Sequence, residues 1–341
     1  MKKGQASRTA EYVALFRALE SSLPQNRRLF EDPYARRFLG PRLALVATLS
    51  RLPGAAEIIS RFIDHRWAGA RSSSVARTRL IDDMIRAALD RRIEQLVILG
   101  AGFDSRAYRM DALKDVTVFE VDHPSTRAKK QRILGRALGD FPSRVRFVAT
   151  DFHEVELDRA MKGAGYSNTA PTFILWEGVT PYLSETAVDA TLRWCADAAT
   201  GSELLFTYVH RAVLDDPEAF AGTQRLFATL KAAGEEWKFG IDPTDLAGFL
   251  SKRGLCLEQD IGSTASKTLE ARSTEPDTCR RSRGPCAATS SIGSPSHECR
   301  ELHATSTGDG SLPRPAKHGR PDRAHDGKLL SHDVHREGRV G

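Results

Sequence analysis

No apolar run in this 341-residue chain approaches the ~18 residues that a membrane-spanning helix requires, which excludes a polytopic membrane protein and argues against a membrane partner. The opening segment, MKKGQASRTAEYVALFRALE, lacks a hydrophobic stretch long enough for a secretory signal, so the expectation is a cytoplasmic protein. Cysteine is scarce: the five, at 195, 256, 279, 286 and 299, are too few and too unevenly placed for a disulfide framework. There is no CxxC pair, and the spacing of Cys279, Cys286 and Cys299 is too loose for structural zinc, so no metal site is expected. Charge of one sign is also missing. Lys and Arg total 50 against 44 Asp and Glu, a net +6, too even to suggest a nucleic-acid partner. With 40% hydrophobic residues the chain is neither fibrous nor wholly disordered.

A local absence is sharper than any of these. Residues 263–341 contain no Phe, Tyr or Trp and only eight Leu, Ile or Val, while six of the ten His lie there. Such a stretch buries too little apolar surface to offset the entropy of ordering its backbone. The expectation is therefore a folded unit over roughly 8–262 and a disordered tail over 263–341. The abrupt compositional edge motivates the hypothesis that this tail is a frameshifted or otherwise non-native reading; resequencing of the coding DNA tests it, and the absence of an in-frame continuation in the alternative frame would count against it.

Within 8–262 the pattern changes once. Residues 8–20 place Tyr12, Leu15, Phe16 and Leu19 at helical spacing, a short helix is expected near Pro33–Phe38, an apolar stretch covers 43–63, and 72–92 form a helix with Leu80, Ile81, Met84, Ile85 and Leu89 inward. After residue 92 short apolar runs alternate with helical segments. Strands are expected at 95–99, 116–122, 145–149, 172–176 and 203–208, with a weak sixth at 255–261; helices are expected at 125–138, 185–199 and 243–252. The fold class is α/β, a doubly wound, mostly parallel sheet with helices on both faces, preceded by a helical cap over 1–92, with the sheet-forming domain at 93–262. Nothing from 263 onward reads as a strand, so a last strand is expected to be missing and a sheet edge left unpaired.

Ligands of open α/β sheets sit at the carboxyl ends of the strands. Four successive strand ends here carry chemistry. After the first comes Gly100-Ala101-Gly102-Phe103-Asp104-Ser105, whose glycines permit a tight turn and close backbone approach, although a tight strand–helix turn alone would look the same. Ser105 stands where a nicotinamide fingerprint wants Gly or Ala. The second strand ends at Asp122, placed to accept from ribose hydroxyls; Glu120, on the same side of the strand, could serve instead, and Asp122 could equally cap the helix that follows. Asp151-Phe152 follow the third strand, an acceptor for an adenine amino group beside a ring for the base. Glu177-Gly178 follow the fourth. Together they ask for a ligand with a ribose, a base and a positive group. S-adenosyl-L-methionine meets that description, and ATP meets it less well because no GxxxxGK[ST] run is present.

Five segments in order carry a resemblance. They are Arg77-Thr78-Arg79-Leu80-Ile81-Asp82-Asp83, Leu99–Arg109 with its Gly100-Ala101-Gly102-Phe103-Asp104-Ser105, Glu120-Val121-Asp122-His123-Pro124, Thr150-Asp151-Phe152 and Glu177-Gly178-Val179-Thr180-Pro181-Tyr182-Leu183. In these the chain resembles the leucine carboxyl methyltransferase family, in its bacterial branch of S-adenosyl-L-methionine-dependent methyltransferases, over roughly 8–262. The resemblance implies a class I, Rossmann-like methyltransferase fold with S-adenosyl-L-methionine as cofactor. It places Asp122 on the ribose, Asp151 and Phe152 at the adenine, Gly100 beside the methionine portion, Glu177 near the amino-acid end and Arg77 on the cofactor carboxylate, with Arg79 as the alternative.

The implied reaction is methyl transfer, O-methylation of a carboxylate or hydroxyl on a small-molecule acceptor. A carboxylate acceptor is already anionic and needs no base, whereas a hydroxyl wants one. Tyr182, Tyr208 and His210 lie near strand ends, but no catalytic residue is assigned among them; the plainer reading of the tyrosines is packing. Arg106 and Arg109 could hold an acidic substrate or pair with neighbouring acids such as Asp104 and Asp111. Two other readings stay open: a catalytically impaired remnant with an altered C-terminus, and a nicotinamide-dependent oxidoreductase. Oligomeric state is not legible.

Overall fold

A computed structural model describes residues 8–66, 69–152, 157–220, 223–262 and 286–292, all of which belong to one unit, Met1–Ser296. Four helices come first: α1 (Arg8–Glu20), α2 (Pro41–Leu49), α3 (Ala55–Arg66) and α4 (Ala70–Asp90), with a 3-10 turn at Ala35–Phe38. The apolar stretch 43–63 is thus two helices, broken where Pro53 and Gly54 interrupt the pattern. Leu15, Phe16 and Leu19 of α1 bury against Ala47, Ile63 and Val75 from the other three helices.

The sheet then begins. In chain order come β1 (Gln95–Leu99), α5 (Arg106–Arg109), β2 (Thr117–Asp122), α6 (Pro124–Leu138), β3 (Val145–Ala149), α7 (Leu157–Gly163), β4 (Thr172–Trp176), α8 (Glu185–Ala196), β5 (Glu203–Val209), α9 (Arg211–Asp215), α10 (Thr223–Ala233), α11 (Leu246–Ser251), β6 (Cys256–Ile261) and β7 (Cys286–Ile292). All neighbours pair in parallel, in the order β3-β2-β1-β4-β5-β7-β6. The seventh strand corrects two expectations. The last strand is not missing, and 263–341 is not wholly without structure: 286–292 lies between β5 and β6, pairing Glu203 with Cys286 and Cys256 with Cys286, so β5 is not an exposed edge. The remainder of 263–341 lies outside the described residues.

Alternate strand positions feed two cores. Val97, Leu99, Phe119, Ile174, Trp176 and Phe206 face Val188, Leu192, Leu246 and Leu250 of α8 and α11. Leu96, Ile98, Val118, Phe173 and Leu205 face Ile81, Ile85 and Ala88 of α4. Both faces are covered, which is why these strands read as continuous apolar runs rather than alternating ones. Helix α4 is shared: Val75 packs in the cap, while its C-terminal half lies on the sheet.

The strand order reverses between β1 and β4, the position where parallel α/β sheets open a crevice. Register brings the candidate strand ends to that one edge, with Leu99 opposite Val121, Asp122 opposite Ala149 and Ile98 opposite Leu175.

Candidate functional site

The loop after β1 is shaped by backbone. Gly100 and Ala101 donate to the Val121 carbonyl at 2.8 and 3.0 Å, carrying the ladder one step beyond the strand. Gly100 then turns at φ +68°, a left-handed conformation that favours glycine. A Cβ there would overlap Val179 Cγ2, so the loop after β4 abuts the glycine directly. Gly102 N–H donates to Asp122 Oδ2 at 2.6 Å, and His123 N–H donates to Asp122 Oδ1 at 2.6 Å. The helix after β2 is capped by His123, whose Nδ1 accepts from Ser125 N–H at 3.2 Å, not by Asp122. Burial pushes the Asp122 carboxyl up, against the pull of its two backbone donors. Each of its oxygens retains a lone pair for a further donor.

Glu120 has a different place. It is buried and paired with Lys130 Nζ at 2.9 Å, and Lys130 lies 3.4 Å from the Ala101 carbonyl. Of the two acids on β2, therefore, Asp122 holds the glycine loop from its open end and Glu120 supports it from below. Ser105 donates to Asp32 Oδ2 at 2.6 Å, and Arg17 joins Asp32 at 2.9 Å to the Phe103 carbonyl at 2.6 Å. The serine at the third glycine position thus ties the loop to the cap.

Beyond β3, Asp151 is half-buried and the Phe152 ring lies 6.5 Å from that of Trp176. Beyond β4, Glu177 receives Arg77 Nε on Oε1 at 2.7 Å and Arg106 Nη1 on Oε2 at 3.0 Å. Arg106 also reaches Asp82 Oδ1 through Nε at 2.8 Å and Asp104 through its backbone N–H at 2.7 Å and its guanidinium. Arg109 grips both oxygens of Asp82 at 2.6 and 2.8 Å. Arg109 therefore pairs with Asp82 rather than Asp111, and both arginines are committed to internal acids instead of an acidic substrate. Burial alone would raise the Glu177 carboxyl; Arg77 and Arg106 outweigh it and hold it low. Asp104 is held at about 2, burial being overcome by Arg106, Lys130 and Arg17. Arg79 instead pairs with Asp83 at 2.7 Å on the exposed side of α4.

The wall residues are engaged elsewhere. Tyr208 is fully buried and donates to Asp260 Oδ2 at 2.7 Å. His210 Nδ1 accepts from Ala212 N–H at 3.1 Å as the cap of α9. Tyr182 is half-buried beside Trp237 and Thr9, and burial pushes its hydroxyl up. The segment after α10 closes over this corner: Lys238 N–H donates to the Pro181 carbonyl at 2.6 Å, and Glu235 accepts from Arg8 N–H at 2.8 Å. Among the described residues no group of His, Cys, Asp and Glu is arranged to hold a metal ion, and no helix is long and apolar enough to cross a membrane.

The leucine carboxyl methyltransferase family model matches residues 10–196, a span running from α1 through α8 and containing the ends of strands β1 to β4. This chain belongs to the leucine carboxyl methyltransferase family. Two relatives named as S-adenosyl-L-methionine-dependent methyltransferases illustrate the spread. One from Frankia alni is 34% identical over 247 residues, 72% of this chain and 81% of that one. One from Streptomyces coelicolor is 35% identical over 196 residues, 56% of this chain and 61% of that one. A crystal structure from Thermobifida fusca, described as a methyltransferase, covers 72% of this chain and 80% of its own at 17% identity and a TM-score of 0.44.

Membership in the leucine carboxyl methyltransferase family sets the nicotinamide reading aside and agrees with the Rossmann-like, class I sheet. The residues singled out from the sequence come to one edge: Gly100 against Val179, Asp122 on Gly102, Arg77 on Glu177. Asp82 and Asp32 were not singled out as partners of that edge, nor Glu177 as a partner of Arg106. For Asp82 and Arg106 the signal was the density of Arg and Asp in 77–83 and 104–109, which reveals nothing until α4 is laid beside the loop; Asp32 had none.

Two outcomes follow from this geometry. Gly100→Ala is expected to cost at least about 2 kcal/mol in urea unfolding, from the left-handed φ and the clash with Val179. Adding Val179→Ala should recover the contact part and leave the φ part; full recovery would mean the turn is not strained. Because the folded Asp104 carboxyl is depressed, its contribution is present above the ordinary carboxylate range and is lost as pH falls towards about 2. Asp104→Asn should therefore be less stable than wild type by roughly 2 kcal/mol at pH 7, and the gap should close as the solution is acidified. A gap independent of pH would contradict the ion pairing.

Proposed function

We propose that this methyltransferase uses S-adenosyl-L-methionine to methylate an oxygen of a small-molecule acceptor, a carboxylate in the first instance, in the cytoplasm. The observation that carries the reading is that one sheet edge holds both the hydrogen bond from Gly102, in the loop after β1, to Asp122 at the end of β2 and the Arg77–Glu177 pair after β4, around a loop where a Cβ at Gly100 would strike Val179. The residues present suit the cofactor. Asp122 has acceptor capacity left for ribose hydroxyls, and Asp151 and Phe152 offer an acceptor and a ring for adenine. Gly100 exposes backbone beside the methionine portion, and Arg77 and Glu177 supply a cation and an anion for its carboxylate and ammonium. The relatives' names and the family description support the same assignment.

When bound, S-adenosyl-L-methionine supplies an electrophilic methyl group on a sulfonium. The chain's own part is placement and exclusion of water. Asp122 stays ordered by two backbone donors, Glu177 by two arginines, and the strap at Lys238 and Phe239 holds the Thr180–Tyr182 turn against the cap through Glu235 and α1. Tyr182, Tyr208 and His210 have partners of their own, which favours an acceptor that arrives already anionic over one that must be deprotonated.

Isothermal titration with S-adenosylhomocysteine tests the assignment. Micromolar binding is expected, with NADH and ATP silent, and Asp122→Asn should weaken it about tenfold or more through loss of a charged acceptor. A folded protein that ignores S-adenosylhomocysteine would refute the cofactor reading.

A further inference from the structure

Arg106 faces none of the groups proposed to touch the cofactor's ribose or base, yet it is only 3% exposed and meets three carboxylates from three parts of the chain. Asp82 belongs to α4, the helix that also carries Arg77; Asp104 belongs to the glycine loop; Glu177 follows β4. One guanidinium therefore links the helix bearing the clamp's cation to the residue that is its anion. The link is oriented. Glu177 offers Oε1 to Arg77 and Oε2 to Arg106, and Asp82 is locked from its other side by both terminal nitrogens of Arg109. Without Arg106, Glu177 would keep only Arg77, on Oε1, and Oε2 would lose the donor that fixes the carboxylate's orientation.

We propose that Arg106 is a positioning residue that, anchored by Asp82, holds Glu177 and Arg77 at the spacing that accepts the zwitterionic amino-acid end of the cofactor. This rests on the methyltransferase site reading above and adds a selective consequence. A ligand's carboxylate and ammonium sit on one carbon, so the cation and anion that receive them must be held at matching separation; charge-assisted hydrogen bonds reward that geometry and lose strength when it is lost. The adenosine portion makes no such demand. Disturbing Arg106 should accordingly weaken ligands with the amino-acid group and spare those without it.

The test compares two ligands on the full chain by isothermal titration: S-adenosylhomocysteine, and 5′-methylthioadenosine, which shares the nucleoside and thioether but lacks the amino-acid group. Wild type is expected to prefer the first by about tenfold or more. Arg106→Lys should weaken S-adenosylhomocysteine by about tenfold and leave methylthioadenosine within about twofold, and Asp82→Asn should shift the ratio in the same direction. Partial unfolding lowers the binding stoichiometry for both ligands alike, so the ratio of the two affinities separates positioning from stability even where Arg106→Lys folds poorly. An unchanged ratio in both variants, or an equal loss for both ligands at full stoichiometry, would overturn the proposal. A wild-type chain that binds neither ligand would overturn the site reading itself, and this inference with it.

Discussion

Three arginines and three carboxylates closed on one another, with Arg106 at the centre, are the interaction on which this structure depends. Each ion taken out of water costs several kcal/mol, and only short, well-directed contacts repay it. That requirement leaves little freedom in where α4 lies on the sheet, since Asp82 must meet Arg106 and Arg109 while Arg77 meets Glu177. Such a cluster adds little net stability over an apolar core of the same shape, but removing one member strands a buried charge. It acts as a registration device between the cap and the strand ends.

The sheet supplies the other half. Because β1 lies between β2 and β4 with every strand parallel, successive strand ends emerge at one edge, and the chain spends its glycine where backbone must meet side chain. Asp122 and Glu120 show how two like residues on one strand part in function. The terminal acid keeps spare acceptor capacity at the open edge, while the one two residues back is neutralised by Lys130. A loop held from above, below and the cap side is preorganised, which spares the ordering cost that would otherwise be taken from binding.

Much of this was legible in the sequence, for definite reasons. Strands β1, β2, β4 and β5 were readable because both faces are buried, making them short apolar runs between glycine and polar breaks, and the edge strand β3 because Val145, Phe147 and Val148 still stand out as a short apolar run. The strand-end motifs were readable because they are local. Strand β7 was not: Cys-Ala-Ala-Thr-Ser-Ser-Ile has neither the aromatic nor the β-branched enrichment of its neighbours, and its place comes from backbone pairing with β5 and β6. Helix α10 was likewise unread. The ion cluster was invisible for another reason. Arg106 and Asp82 are 24 residues apart and Arg77 and Glu177 are 100 apart, and which of many acids each arginine meets is decided by packing. Sequence proximity suggested Asp111 for Arg109; the fold chose Asp82.

The central claim is that these charges act as one unit through Arg106, and a double-mutant cycle addresses it most directly. Asp82 and Glu177 share Arg106 as partner. Urea unfolding of Asp82→Asn, Glu177→Gln and the double variant should give a coupling energy of about 1 kcal/mol or more, because the first loss already loosens the arginine that the second would abandon. Effects that add to within about 0.5 kcal/mol would show two independent pairs and contradict the account.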